Sequence, residues 1–206
     1  MTITNGYATL EQVKLEAAIE SLSITDDSVL ERCIEDASRA IDAYCAGRRF
    51  FASAASAALD CPTDGDRVLW LNDDYLSVST ITNGDGSTVA GSLCDLWPRN
   101  AISKVALRLK DSAGIAWTPT TGGDYLGAIS VSGSVGYVDR TATDAKSSVV
   151  ISNTRRACII IALAYYRKRN GIGSDAVTVT AAGVVLSPQG LPKDAVQLID
   201  GYRVMP

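Results

Sequence analysis

Residues 157–166 read A-C-I-I-I-A-L-A-Y-Y, an unbroken apolar run of helical length with no polar stripe. A helix with that pattern must be covered on most of its sides. Its flanks are basic, with Arg155 and Arg156 before it and Arg167, Lys168 and Arg169 after it. The run is too short to span a bilayer, which takes about 20 apolar residues. Cover comes from deep burial or from a subunit contact, and the helix-forming segments expected to pack together lie at the two ends of the chain.

At the N-terminal end, Thr9 stands three residues before Gln12, the spacing of a capping box. Leu10, Val13 and Ala17 follow as an apolar side, widened by Leu15, Ala18 and Ile19. A break at 21–25 leads to a second helix capped by Thr25, Asp26 or Asp27. Leu30, Ile34, Ala37, Ile41 and Tyr44 then recur at three- and four-residue steps. Gly47 is a natural stop. After the apolar run, Gly171-Ile-Gly173 ends the third helix. The β-prone segment 177–186 reads as a hairpin or an extended arm, and Pro192 opens a last helix with Ala195, Leu198, Ile199 and Tyr202 on one face.

Between these ends the texture changes. All five glutamates (11, 16, 20, 31 and 35) precede residue 36, and every later acid is aspartate. Glutamate suits helix interiors and aspartate suits turns. Turn dipeptides (Asp64-Gly65, Asn83-Gly84, Asp85-Gly86, Gly122-Gly123) separate strand-like runs at 67–71, 78–82, 105–109 and 128–137, with 83–86 as a hairpin turn toward 88–90. The expected fold is α+β: a small helical bundle built from both chain ends, an inserted mainly antiparallel β domain, and a β-prone arm before the last helix. The expected domains are 1–53, 54–150 and 151–206.

Composition bounds the function. With 206 residues and 47% hydrophobic residues, the chain can bury a sizeable core. It has no histidine, which removes Ser–His and Cys–His nucleophilic pairs and His-liganded metals. The net charge of −4 disfavours a globally electropositive nucleic-acid binder. Five widely spaced cysteines (33, 45, 61, 94, 158) form no C-x-x-C and read as buried thiols in a reducing compartment. The N-terminus shows no signal-peptide pattern.

No phosphate loop, dinucleotide fingerprint, nucleophile elbow or zinc motif occurs. The 83–87 segment departs from a calcium loop at its first and last positions, and Asp60, Asp64 and Asp66 read as turn residues. Asp73 and Asp74, adjacent on a strand, point to opposite faces. The expectation is no enzyme, no cofactor and no metal. The basic residues around the third helix read as a solvated or salt-bridged helix end, a protein interface or a direct phosphate contact.

Three longer stretches carry a resemblance. Residues 7–50 include Ala37-Ser38-Arg39-Ala40-Ile41 and then Gly47-Arg48-Arg49-Phe50. Residues 128–137 read A-I-S-V-S-G-S-V-G-Y, and 191–203 read L-P-K-D-A-V-Q-L-I-D-G-Y-R. In order and character these resemble the tailed-phage head–tail connector (adaptor) family, over roughly half the chain. Ile151-Ser152-Asn153 stands where that family often has a proline.

The resemblance implies a non-enzymatic adaptor forming a ring, commonly of twelve subunits, that joins the portal protein to a stopper or tail-completion protein. Such a ring extends the DNA channel without specific DNA binding, sits at the virion neck after synthesis in the host cytoplasm, and involves no membrane. Residues 171–206 become the portal-facing candidate. The candidate subunit and portal interface comprises Arg155, Arg156, Tyr165, Tyr166, Arg167, Arg169, Val177, Val179, Leu186, Tyr202 and Arg203. A competing reading is a ligand- or glycan-binding β module, on a virion or cytosolic protein, with Trp70, Trp97 and Trp117 as its stacking surface.

Overall fold

The computed structural model describes residues 3, 5–19, 24–63, 65–138, 151–169, 178–179, 185–186 and 190–203. The fold is a small α+β one, with helices near both ends of the chain and an antiparallel sheet between them in sequence. It divides into two compact units, one formed by Met1–Gly47 with Val150–Pro206, the other by Arg48–Val149.

The first unit is helical. Helix α1 (Leu10–Glu16) begins with the full capping box: the Thr9 hydroxyl accepts the Gln12 N–H, and the Gln12 side chain accepts the Thr9 N–H. Its apolar side is narrower than the sequence pattern suggests. Val13 is buried, but Leu15 is 83% exposed and Lys14 is buried in its place. The reason is electrostatic. The Lys14 ammonium pairs with the Asp27 carboxylate, so the inward position goes to a cation with a partner.

Helix α2 (Asp27–Tyr44) buries Leu30, Cys33, Ile34, Ala37, Ser38 and Ile41 on one face. Asp26 holds its cap position without a side-chain capping bond, because its carboxylate accepts the Tyr166 phenol at 2.7 Å instead. Past the helix both Ala46 and Gly47 take positive φ, and Gly47 N–H closes on the Asp42 carbonyl.

Helix α3 (Ser152–Arg169) is the apolar run of the sequence. Thr154, Ala157, Cys158, Ile159, Ile161, Ala162 and Leu163 are all buried, as a helix without a polar stripe requires. It packs against α2 at small residues: Ser38 Oγ lies 3.5 Å from Cys158 Sγ, while donating to the Ile34 carbonyl at 2.7 Å and accepting the Tyr7 N–H at 3.1 Å. Helix α4 (Lys193–Ile199) starts after Pro192 and buries Ala195 and Ile199; Leu198 is only half-buried.

The second unit is a five-stranded antiparallel sheet in the order β1-β5-β2-β4-β3, open at both edges. The strands are β1 (Ser53–Leu59), β2 (Val68–Thr82), β3 (Cys94–Trp97), β4 (Lys104–Leu109) and β5 (Ile129–Val135). The runs at 67–71 and 78–82, read as separate strands, are one fifteen-residue strand. Its first part pairs with β4 and its second with β5, across register shifts. The Asn72-Asp73-Asp74 stretch between them is carried as strand with both carboxylates paired, Asp73 with Arg49 and Asp74 with Arg48.

Strand β1, all alanine and serine before its last residue, has no distinct sequence signature. It lies against β5 with Ala55 opposite Gly133. Gly133 is obligatory there: a Cβ would stand 2.1 Å from the Ser77 carbonyl oxygen. The core of this unit gathers Leu69, Tyr75, Ile81, Leu107, Leu109, Ile129, Val131 and Val135. The expected 83–86 turn forms, with Gly86 N–H closing on the Asn83 carbonyl and Val89 N–H on that of Ile81.

The β-prone arm contains a two-stranded antiparallel pair, β6 (Thr178–Val179) with β7 (Val185–Leu186). Val177 and the expected boundary after Val150 lie outside the described residues.

Candidate functional site

The candidate interface residues of the third helix fall into two groups rather than one patch. Arg155 and Arg156 open α3, and Arg167, Lys168 and Arg169 close it. Twelve residues of helix separate corresponding members, about 18 Å at 1.5 Å per residue. Arg156 reaches Glu16 on the neighbouring helix at 2.7 Å. Arg167, Lys168 and Arg169 are exposed in the last turn, where their charge complements the helix dipole.

Several of the other candidates hold the helical unit together. The Tyr166 phenol donates to Asp26, and the Tyr202 hydroxyl accepts from Asn153 at 3.4 Å. The Arg203 guanidinium lies 5.3 Å from the centre of the Tyr44 ring, whose hydroxyl donates to Asp200 at 2.7 Å. That bond is the first cause of the raised Tyr44 pKa. Val179 and Leu186 sit on the two paired strands, offset by one position: Thr178 faces Leu186 and Val179 faces Val185.

Tyr165 and Arg169 line a cleft of ≈ 530 Å³ between α2 and α3, with Arg32, Cys33 and Asp36 opposite. Burial pushes the Tyr165 phenol and the Cys33 thiol up, and Asp36 adds to both. A raised thiol is protonated and poorly nucleophilic. All five cysteines are buried free thiols, and burial holds the Cys158 thiol up at about 11. Among the described residues no group of His, Cys, Asp and Glu is placed to hold a metal ion, and no helix is long and apolar enough to cross a membrane.

In the β unit the three tryptophans separate. Trp117 is buried, and its indole N–H donates to the Arg67 carbonyl at 3.0 Å. It anchors a loop and cannot stack on a ligand, which corrects the three-tryptophan surface. Trp70 and Trp97 are 66% and 55% exposed. Both lie opposite Ala106, one on each side of β4, so they share the outer face of the sheet. With Arg67, Val68 and Arg108 they line a groove of ≈ 500 Å³. Sequence alternation marks Trp70 as belonging to a strand, but which face is the outer one depends on where the core forms.

Where the chain enters the β unit, Arg48 and Arg49 meet Asp74 and Asp73. Arg48 Nε is 2.7 Å and Nη2 3.4 Å from the two oxygens of Asp74, and the guanidinium lies 4.3 Å from the Tyr137 ring centre. Tyr137 packs edge-on against Phe50 at 6.1 Å. The Gly-Arg-Arg-Phe motif of the resemblance is thus a structural clamp: one arginine on each carboxylate and the phenylalanine buried behind them.

The chain matches no protein-family model and no curated protein. Among solved structures it is similar to a chain of the neck of an empty GTA particle, computed with C6 symmetry. That likeness has a TM-score of 0.64 at 15% identity and covers 100% of this chain and 94% of the other. The two share a fold over all of this chain and nearly all of the other.

Proposed function

We propose that this chain is a structural head–tail adaptor of a tailed phage or phage-like particle. Copies form a ring that joins the portal protein to a stopper or tail-completion protein and extends the DNA channel. The role is non-enzymatic, and its place is the virion neck, reached after synthesis in the host cytoplasm. DNA passes without specific contacts, in keeping with a net charge of −4.

The observation that carries this reading is the coextensive likeness to a neck chain, which takes in both helical ends and the sheet between them. The connector-like motifs of the sequence support it independently. A six-fold operator, the one used for that neck, admits six copies or twelve; the proposal here is twelve. In this reading residues 1–53 and 151–206 form a helical domain and 54–150 a β domain. The segment 171–206 faces the portal, and the exposed Arg167 and Arg169 are the side chains of α3 most available to a partner.

The test is reconstitution with the portal protein of the same phage or phage-like particle. Cryo-EM should show a closed ring of this chain seated on the portal. A protein that stays monomeric and indifferent to that portal overturns the proposal.

A further inference from the structure

We propose that the outer face of β2, β4 and β3 is one half of a head-to-tail contact between copies of this chain, and that the 124–126 loop of the next copy is the other half. This rests on the ring reading above and names the contact that would build it within the β unit.

The first half is the tryptophan groove. Trp70 and Trp97 flank Ala106, about 10 Å apart at two strand spacings, and leave that alanine 1% exposed. Two residues along β4, on the same face, Arg108 stands between Val68 and Asp95. Its neighbour Asp95 is already held by Arg99 at 2.7 Å. Asp66, at the groove rim, accepts the Val68 N–H. Arg108 is exposed and has no hydrogen bond or ion pair among the described residues. Two exposed indoles beside an unpaired guanidinium are the residue types in which interface energy concentrates.

The second half carries the opposite charge. Tyr125 is 46% and Leu126 73% exposed, next to Asp124, which makes no ion pair among the described residues. The loop is held in shape by its own turn and by the neighbouring backbone. Gly123 N–H closes on the Thr120 carbonyl, Leu126 N–H on the Asp124 carboxylate, and the Tyr125 carbonyl accepts the Cys61 N–H. It therefore presents an aromatic, an aliphatic and a carboxylate side chain with little ordering cost on binding.

An apolar surface with a spare cation and an apolar surface with a spare anion occur on the same unit and share no residue. A carboxylate set on a guanidinium between two indoles gives charge-assisted hydrogen bonds in a desolvated setting. Because the halves differ, each contact leaves one of each kind open, and repetition closes a ring or extends a chain. A foreign partner would explain the groove alone; a second copy explains both surfaces.

The test uses the full chain in sedimentation velocity over a wide concentration range. Wild type should self-associate. Trp70→Ala/Trp97→Ala (no groove) and Tyr125→Ala/Leu126→Ala (no loop) should each weaken association by about 30-fold or more. Mixed, these two variants have one intact contact between them and should give one-to-one dimers and nothing larger. Arg108→Glu and Asp124→Arg should each weaken association, and their combination in one chain should restore most of it.

Far-UV circular dichroism of each variant checks that it is folded. Should a variant not fold, the charge swap carries the test. A monomeric wild type, association indifferent to these variants, or glycan-array binding lost with Trp97→Ala while self-association is unchanged overturns the contact. If rings still form on the portal in the variants, this contact fails and the adaptor reading stands. If the mixing result holds but the portal is not bound, the reverse is true.

Discussion

Removing the Asp74 carboxylate tests whether the Arg48–Asp74 clamp holds the β unit. The Asp74 side chain is 6% exposed and that of Arg48 15%. The pair is bidentate, and the Tyr137 ring covers the guanidinium at 4.3 Å. Deleting one member of a buried pair strips the other of its countercharge in a desolvated place, at about 3–5 kcal/mol. Replacing both with apolar groups removes that penalty. Asp74→Ala should therefore cost about 3–5 kcal/mol, and Arg48→Met/Asp74→Ala less than half as much. For a unit of about 100 residues, 3 kcal/mol lowers the Tm by roughly 12–24 °C.

The assay is tryptophan fluorescence during urea and thermal unfolding. All three tryptophans lie in the Arg48–Val149 unit, so the signal reports that unit even if the helical unit unfolds separately. Equal costs for the single and double variants, or a cost below 1 kcal/mol for Asp74→Ala, would refute the reasoning.

Further outcomes follow from other parts of the chain. Ile199→Ala should cost about 2–5 kcal/mol in the far-UV unfolding transition, and Leu198→Ala clearly less, because only Ile199 is fully buried. Thr9→Ala should lose about 1 kcal/mol by breaking the capping box, read as a lower helical melting midpoint. Gly133→Ala should destabilise the sheet by about 1–3 kcal/mol or prevent its folding, since the nearest obstacle is the Ser77 backbone; an unchanged fluorescence midpoint would show that the strands can separate. Cys158 gives a pH dependence. Its thiol is raised in the folded state from 9.0 to about 11 by burial. The unfolded chain therefore loses that proton first, and stability falls as pH rises from about 9 toward about 11. Cys158→Ala should make that decline shallower, measured as urea midpoints at stepped pH.

Much of the fold was legible because helices announce themselves over short distances. The capping box at Thr9–Gln12, the 30–34–37–41 stripe, the uniformly apolar 157–166 run and Pro192 each depend on local chemistry, and each appears where the spacing puts it. The failures share one cause, which is pairing with distant residues. Lys14 turns inward only because Asp27 is there to meet it. Strand β2 joins two runs that look separate, across Asp73 and Asp74, which Arg48 and Arg49 neutralise. Strand β1 has small side chains that signal nothing until β5 is there to pair with it.

Partners distant in sequence also meet three of the candidate interface residues: Tyr166 with Asp26, Tyr202 with Asn153 and Arg203 with Tyr44. The open indoles of Trp70 and Trp97 could not be told from the buried one of Trp117 by alternation alone.

The helical unit is closed by contacts between residues far apart along the chain: Ser38 with Cys158, Tyr44 with Asp200, and Cys45 with the carbonyl of Ile199. The β unit lies wholly between them. During synthesis at roughly 5–20 residues per second, the sheet can be complete while the part of the α2 face that α3 will cover is still open. The helical surfaces come into being last, when α3 and α4 leave the ribosome. A nascent or truncated chain would thus carry a finished sheet and no finished helical unit, so the order of translation itself would delay whatever that unit binds until the chain is nearly whole.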